Sequence, residues 1–231
     1  MFAALLHIPD GFIDVPTSVI FMLLSTVGIA IALRGATGEL DDKTAPLAGL
    51  TTVFIFAAQM INFPVAAGTS GHLLGGALAA ILIGPYAATL SITIVLLLQA
   101  LLFADGGLIA SGLNVFNLAL VGVWGSHLIF LIIRKIMPKR KNLIPVAGFI
   151  AALIQVPLAA TSFVVQYAIG AESTIPVSTV FTAMVSTHLL IGIGEALITS
   201  FTLTAVLATR SDLVYGWKGI APKLEIKKAS S

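Results

Sequence analysis

Two of the four histidines in this 231-residue chain lie in segments that suit metal chemistry. His7 opens the run His-Ile-Pro-Asp-Gly-Phe, in which Pro9 and the Asp-Gly pair that follows it favour a turn. His72 follows a loop of small residues, 68–71, whose backbone can approach another group closely. Two imidazoles brought together would suit nickel, cobalt, copper or zinc, since these metals accept nitrogen ligands. The alternative is that each is a surface histidine with ordinary hydrogen bonds.

Four further polar residues are candidates to support these imidazoles, namely Asp10, Ser70, Asp105 and Asn114. Metal-bound histidines usually donate their second ring N–H to a carboxylate or a carbonyl, so Asp105 is a candidate partner for one of them. Asn114 opens the apolar segment that follows and could brace the loops. Because an Asp-Gly pair is also common in ordinary turns, simple turn chemistry is an equally good account of Asp105.

A second polar group is predicted inside a membrane helix. His188 and Glu195 are seven positions apart, which places them on roughly the same helical face with Gly192 between them. An intramembrane carboxylate is costly and therefore indicates a functional site by default. A structural partner on a neighbouring helix, such as Gln155 or His127, is an equally good account. We expect Glu195 near or below the bilayer midplane and the two candidate ligands on the outer side, so Glu195 is not assigned to the metal site.

The sequence lacks cysteine and several motifs of catalytic sites. The chain has no cysteine, so a metal site must use nitrogen or oxygen ligands. It also lacks the Gly-x-x-x-x-Gly-Lys-Ser/Thr phosphate loop, the His-Glu-x-x-His zinc protease motif and the Gly-x-Ser-x-Gly nucleophile elbow. We therefore expect a protein that is not an enzyme and that carries no catalytic cofactor.

The elements that must position these residues are membrane helices. Hydrophobic residues make up 58% of the chain and charged residues 10%, whereas an ordinary soluble domain has about 25% charged residues. Residues 1–231 are predicted to form one integral membrane domain, an all-α bundle. The third of its apolar segments is shorter than the roughly 20 residues of a full span, so we expect a short or broken helix whose glycine-rich start is tucked into the protein. The seven predicted spans are 17–33, 46–61, 71–83, 86–103, 115–133, 143–169 and 177–208.

The distribution of charge predicts an orientation. Lysine and arginine accumulate in cytoplasmic loops, and all twelve basic residues fall on one side if the amino terminus is outside. The tail 210–231 is then cytoplasmic, and the chain is a multi-pass protein of the cell inner membrane. A cleaved signal peptide is not predicted, because no basic residue precedes the apolar start and His7 soon follows. The opposite face carries imidazoles and carboxylates, which attract cations: His7, Asp10, Asp14, His72, Asp105 and Glu172.

The amino-terminal run from His7 to Phe12 resembles the signature of CbiM and NikM, the cobalt/nickel substrate-binding components of energy-coupling factor transporters. The resemblance covers most of the chain, residues 7–207, and its combination of segments is specific although no single segment is. The other matching segments occur in the family's order: 68–72 (Gly-Thr-Ser-Gly-His), Gly84-Pro85, 97–102 (Leu-Leu-Gln-Ala-Leu-Leu), Asp105-Gly106-Gly107 and Gly112-Leu113-Asn114.

The resemblance implies a square-planar site made of four nitrogens. In that family the mature chain begins with methionine and then histidine. The ligands are the terminal amine, the backbone amide and side chain of that histidine, and the histidine of the glycine- and serine-rich loop. Carried over here, the imidazoles are those of His7 and His72. Such a ligand field favours Ni(II), Cu(II) or Co(II) over Mg(II) and Ca(II), but it does not separate nickel from cobalt.

This chain departs from the family pattern at three places. His7 is the seventh residue, so no free amine stands beside it as the sequence is written. A start at Leu6 would restore the pattern, since a leucine codon can serve as a bacterial initiator, and residues 1–5 would then be a misassigned start. Asp105 replaces the histidine that many members carry before Gly-Gly. The loop before His72 is simpler than the usual serine-rich form.

The resemblance also implies partners and a mechanism. The family's subunit binds Co²⁺ or Ni²⁺ outside and associates with a membrane coupling protein, the T protein, and with two cytoplasmic ATPases that drive its inward release. A small accessory membrane protein is a further candidate partner, and no nucleic acid is expected. Two other readings stay open. One is a stand-alone divalent-cation channel or secondary permease that uses Glu195 and His188, although no convincing internal repeat supports it. The other is a membrane enzyme with a His/Asp metal centre.

Overall fold

The computed structural model describes residues 7–64, 70–218 and 220, and it is a bundle of helices. The prediction of an all-α membrane bundle is confirmed, since five helical stretches are long and apolar enough to cross a membrane. The elements in chain order are α1 (Val15–Ala36), α2 (Ala45–Gln59), β1 (Asn62–Pro64), β2 (Ser70–His72), α3 (Gly76–Ile83), α4 (Pro85–Phe103), α5 (Ser111–Val115), a π-helical stretch (Phe116–Gly122), α6 (Val123–Ile136), α7 (Ile144–Gly170), α8 (Val177–Arg210) and α9 (Tyr215–Lys218). The five long stretches are α1, α4, α5 through α6, α7 and α8.

Each of the seven predicted segments contains a helix, but two of those helices are short. Helix α2 has 15 residues and α3 has eight, and both are shorter than the roughly 20 residues of a full span. The predicted start of the third segment at Gly71 is wrong, because residues 70–72 form a strand that pairs antiparallel with residues 62–64. Helix α3 can begin only after Gly75, whose φ of 79° lies outside the helical region.

The ends of α3 explain its length and its burial. Gly84, with a φ of 95°, stops the helix, and Pro85 starts α4 directly afterwards. All eight residues of α3 are buried, so this half-length helix is enclosed by the long ones. The backbone N–H groups at its amino-terminal end are therefore hydrogen-bonded by protein groups and are not exposed to lipid.

The connections fall at two ends of the bundle. At one end, which we call the His7 end, Asp14 N–H donates to Gly170 O at 2.7 Å and Gly107 N–H donates to Ile8 O at 2.9 Å. At the opposite end, Ala87 N–H donates to the carboxylate of Glu39 at 2.8 Å. Arg134 Nη1 donates to Gly216 O at 2.6 Å at the same opposite end. The short loops thus alternate between the two ends, as in an up-and-down bundle.

Small residues let the two longest helices pack closely. A Cβ added at Gly192 of α8 would lie 3.1 Å from the backbone oxygen of Leu153 on α7. Ala147, Ala151 and Ala152 of α7 are fully buried. The outer surface is different, since Val27 of α1 is 59% exposed, as expected for a side chain that faces lipid.

Candidate metal centre

The two histidines predicted as ligands meet in the folded chain. The rings of His7 and His72 are edge to face, with centroids 4.6 Å apart and an interplanar angle of 81°. His7 precedes α1 and His72 ends β2, so the contact joins segments that are distant in sequence. Both side chains are buried. The site is therefore enclosed by the fold, and the reading of two unrelated surface histidines is excluded.

Each imidazole has one nitrogen held by an oxygen. His7 Nε2 lies 2.8 Å from Gln99 Oε1 and His72 Nδ1 lies 2.8 Å from Leu73 O. An amide oxygen only accepts, so these nitrogens carry the ring protons. The lone pairs are then on His7 Nδ1 and His72 Nε2. Metal-binding histidines show the same division, with one nitrogen donating to an oxygen and the other free to bind.

Burial also keeps the two rings uncharged. Loss of hydration lowers the pKa of His7 from 6.5 to about 4, against a smaller opposing effect of the hydrogen bond to Gln99. Loss of hydration, reinforced by the neighbouring His7 ring, lowers the pKa of His72 to about 3. Both imidazoles are thus neutral at physiological pH, which is the form that binds metals.

The backbone around His7 is held by the loop between α4 and α5. His7 N–H donates to Asp105 Oδ1 at 3.3 Å and Ile8 N–H donates to Asn114 Oδ1 at 3.0 Å. Asn114 Nδ2 in turn donates to Ile8 O at 3.2 Å. Asp105 therefore supports the backbone of His7, while Gln99 Oε1 accepts the hydrogen bond from the His7 ring. Asn114 braces the two segments against each other.

Asp10 fastens the same two segments farther from the rings. Its carboxylate accepts hydrogen bonds from Leu108 N–H at 3.1 Å and Ala110 N–H at 2.9 Å. Gly107 packs directly on this carboxylate and has no room for a Cβ. Asp10 thus anchors the turn that carries His7.

Two predicted site residues fall partly or wholly outside the described chain. Ser70 pairs through its backbone with Pro64, but its side chain is not among the described ones. Leu6 and residues 65–69, which include the first two residues of the loop 68–71 before His72, also lie outside the described residues. Within residues 7–64, 70–218 and 220, no group of three or more histidine, aspartate and glutamate side chains converges on one point. In this part of the chain the two imidazoles are the candidate side-chain ligands.

Glu195 lies closer to the site than its position in the sequence indicated. Its carboxylate accepts hydrogen bonds from Leu74 N–H at 2.6 Å, Gly75 N–H at 2.9 Å and Gln155 Nε2 at 2.8 Å. The different bilayer depths expected for Glu195 and His72 stay a prediction. The chain after His72 enters the bundle before α3 begins, and there it meets Glu195. Glu195 thus binds the backbone two and three residues beyond His72.

The other intramembrane candidates have local partners. His188 Nδ1 lies 2.7 Å from Met184 O on its own helix. His127, the second candidate partner for Glu195, packs against the rings of Trp124 and Tyr215 instead. The buried face predicted for α8 is present, since His188 and Glu195 are both buried.

Sequence reasoning missed two glutamines. Gln99 binds the ring of His7, and Gln59 Nε2 donates to Leu74 O at 2.8 Å. Both side chains are fully buried. The available signal was a lone side-chain amide in a helix without charged residues, because such a group is retained in a membrane only when it has a partner.

Comparison with known families settles what kind of chain this is. The sequence model of the family described as the cobalt uptake substrate-specific transmembrane region, CbiM, matches residues 7–213. The chain belongs to the CbiM family. The resemblance read from the sequence is therefore confirmed, and this CbiM-family chain is a helical membrane protein.

Several relatives match this CbiM-family chain over most of its length. A protein of Haloquadratum walsbyi, described as a candidate metal transport protein, is 40% identical over 91% of this chain and 94% of its own length. The cobalt transport protein CbiM of Sorangium cellulosum is 31% identical over 90% of this chain and 94% of its own. The fused nickel transport protein NikMN of Rhodobacter capsulatus is 33% identical over 84% of this chain, which spans 60% of that longer protein.

A solved structure has the same fold as this CbiM-family chain. The crystal structure of a transition metal transporter superposes with a TM-score of 0.80 at 27% identity and covers 87% of this chain and 92% of its own. A truncated transition metal transporter gives a TM-score of 0.77 and is covered over 98% of its length. The architecture described above is thus shared with a transporter.

Proposed function

We propose that this chain captures Co²⁺ or Ni²⁺ between His7 and His72, as the substrate-specific subunit of an energy-coupling factor importer. The observation that carries the proposal is the edge-to-face contact of two neutral, buried imidazoles whose free nitrogens are His7 Nδ1 and His72 Nε2. Cobalt and nickel accept such ligands readily. The names of the cobalt and nickel transport relatives support the same class of substrate.

The remaining ligands would come from the chain next to His7. The Nδ1 atom of a histidine and its own deprotonated amide nitrogen can hold one metal ion in a six-membered chelate ring. At His7 the amide proton would have to leave, and the hydrogen bond of His7 N–H to Asp105 Oδ1 would be given up. The free nitrogen of His7 is Nδ1, so the tautomer fixed by Gln99 suits this arrangement. A terminal amine at Leu6, if Leu6 is the true start, would complete four nitrogens. A planar set of four nitrogens favours Ni(II) and other late transition metals.

The orientation and the partners follow from the distribution of charge and from the family. We infer that the His7 end faces outward and that the basic end, including Arg134 and Lys135 in the last turn of α6, faces the cytoplasm. The membrane is then the cell inner membrane, and the tail 210–231 lies inside with the basic loops. A membrane coupling protein and two cytoplasmic ATPases would supply the energy, and we assign no catalytic reaction to this chain.

The first experiment measures metal binding to the purified protein. Competitive titration with Co²⁺ and Ni²⁺ is compared for wild type, His7→Ala, His72→Ala and the control His127→Ala. We expect both site variants to lose well over the roughly 10–100-fold in affinity that an outer-shell change costs, and the control to bind as wild type. The intact mass of the same preparation identifies the residue that carries the terminal amine. Unchanged binding in both site variants would refute the metal centre.

The second experiment distinguishes an importer subunit from a stand-alone permease. Uptake of Co²⁺ and Ni²⁺ is measured in cells with and without the partner ATPases. We expect uptake to require the ATPases, because Glu195 is already engaged by three N–H donors and is not free to line a path. Uptake that persists without them, and that Glu195→Gln abolishes, would favour the permease.

A further inference from the structure

The two peptide units after His72 are held by side chains from three helices. Glu195 of α8 accepts the N–H groups of Leu74 and Gly75, and Gln59 of α2 donates to Leu74 O at 2.8 Å. Gln155 of α7 donates to Glu195 at 2.8 Å and packs against Gly76, where an added Cβ would lie 3.1 Å from its Oε1 atom. The start of α3 is therefore clamped to the surrounding helices.

The hydrogen bonds of His72 and Glu195 meet on one peptide group. The His72 ring donates from Nδ1 to Leu73 O at 2.8 Å. The N–H of that same peptide unit belongs to Leu74, and it donates to Glu195 Oε2 at 2.6 Å. Because the peptide unit is planar and rigid, fixing its N–H also fixes the direction of its carbonyl. The orientation of the His72 ring is thus linked to Glu195 through one rigid plane.

A buried carboxylate at this position is unfavourable in free energy unless it is hydrogen-bonded. Glu195 is only 2% exposed, and burial of a charged or polar group costs free energy unless it is hydrogen-bonded. Apolar side chains of similar volume often replace buried charges without loss of stability. Three N–H donors converge on this one carboxylate, and two of them belong to the backbone that follows His72. Its placement favours a role in the site over a role in helix packing.

We propose that Glu195 is the positioning residue for His72. It holds the 73–74 peptide so that His72 donates its Nδ1 proton to the Leu73 carbonyl and keeps Nε2 as the free, metal-binding nitrogen. A chain of hydrogen bonds thus runs from the carboxylate through the peptide to the histidine. In many metal sites the carboxylate contacts the histidine directly, whereas here the 73–74 peptide lies between them. The inference rests on the proposed metal binding at His7 and His72.

The test compares Ni²⁺ binding to the full-length protein and to Glu195→Gln. The amide keeps the size of the side chain, but it places an NH₂ group against an N–H donor. We expect Ni²⁺ affinity to fall by roughly 10–100-fold. At saturating Ni²⁺ we expect the visible absorption spectrum to move towards that of His72→Ala, which a general loss of stability would not cause. The matched control is Thr199→Val, a buried position one turn farther along α8 that packs near Gly148, and it should match wild type.

The outcomes are distinguishable. A folded Glu195→Gln protein with wild-type spectrum and affinity would overturn the positioning role and leave the metal centre standing. If wild type itself fails to bind Ni²⁺ and Co²⁺, or if His72→Ala binds them as wild type does, the proposed function fails instead. Should Glu195→Gln not fold, Gln155→Met decides the question. It removes one donor from the carboxylate, and we expect a smaller loss of affinity with the same spectral shift, whereas no change would contradict the proposal.

Discussion

The imidazoles of His7 and His72 face each other edge to face at 4.6 Å between ring centroids, and each donates one ring proton to an amide oxygen. This relationship supports our proposal that the pair is a ligand set and not only a packing contact. A pair of stacked core histidines would need no particular tautomer. Here the oxygens of Gln99 and Leu73 fix one tautomer for each ring, and the affinity for metal should depend on the groups that do so.

The first prediction concerns Gln99. In Gln99→Leu the His7 ring loses the acceptor for its Nε2 proton, so its tautomer and orientation are no longer fixed. We expect the affinity for Ni²⁺ or Co²⁺ to fall by roughly 10–100-fold, measured by competitive titration. The matched control is Gln166→Leu, another fully buried glutamine, which accepts from Asn117 Nδ2 at 2.8 Å within the helices. Equal losses in both variants would mean that the effect is a general one on stability.

The second prediction concerns Asn114. Its side-chain amide makes two hydrogen bonds to the backbone of Ile8, so Asn114→Ala leaves the Ile8 N–H without this buried acceptor. We expect a loss of about 1–3 kcal/mol in stability, seen as a lower midpoint in thermal unfolding of the detergent-solubilised protein, together with weaker metal binding. Asn142→Ala, at an exposed position, is the control and should change neither. A normal midpoint for Asn114→Ala would contradict the bracing role.

The third prediction concerns Gly107, which packs on the carboxylate of Asp10. In Gly107→Ala the new methyl group would displace Asp10 and with it the turn that carries His7. Overpacking of this kind costs about 1–3 kcal/mol, and we expect metal affinity to fall as well. Gly194→Ala on α8 meets open space and should be neutral, or stabilising by up to roughly 1 kcal/mol. Thermal unfolding and metal titration of the two variants side by side make the comparison.

The fourth prediction separates the two ends of the bundle. Glu39 accepts a hydrogen bond from Ala87 N–H at 2.8 Å and so caps the start of α4. This contact lies at the end of the bundle opposite the two histidines. We expect Glu39→Gln to lower stability by about 1–3 kcal/mol and to leave metal affinity unchanged. The exposed neighbour Asp42 provides the control Asp42→Asn, which should have no effect on unfolding. A large loss of metal affinity in Glu39→Gln would show that the two ends are coupled.

Much of the fold could be predicted from the sequence because lipid imposes a simple rule. Every backbone polar group in the membrane must be satisfied within the protein, so long apolar runs must be helices. The predicted segment 86–103 accordingly lies within α4, and the predicted segment 143–169 coincides with α7 from residue 144 onwards. The rule says less about short segments. Helix α3 is short because Gly75 and Gly84 adopt positive φ angles, and glycine permits this conformation without revealing from the sequence where it occurs.

The sequence by itself determined the membrane bundle, the family and the two histidines, because composition and short motifs are local properties of the chain. Only the tertiary structure decided that Gln99 holds the His7 ring and that Glu195 binds the backbone beyond His72. Both contacts depend on the rotation and depth of helices packed against one another. In a bundle whose surfaces are almost uniformly apolar, no periodic pattern of polar residues marks which face of a helix turns inward. The partners of a buried polar side chain are therefore fixed by packing, which the sequence alone does not display.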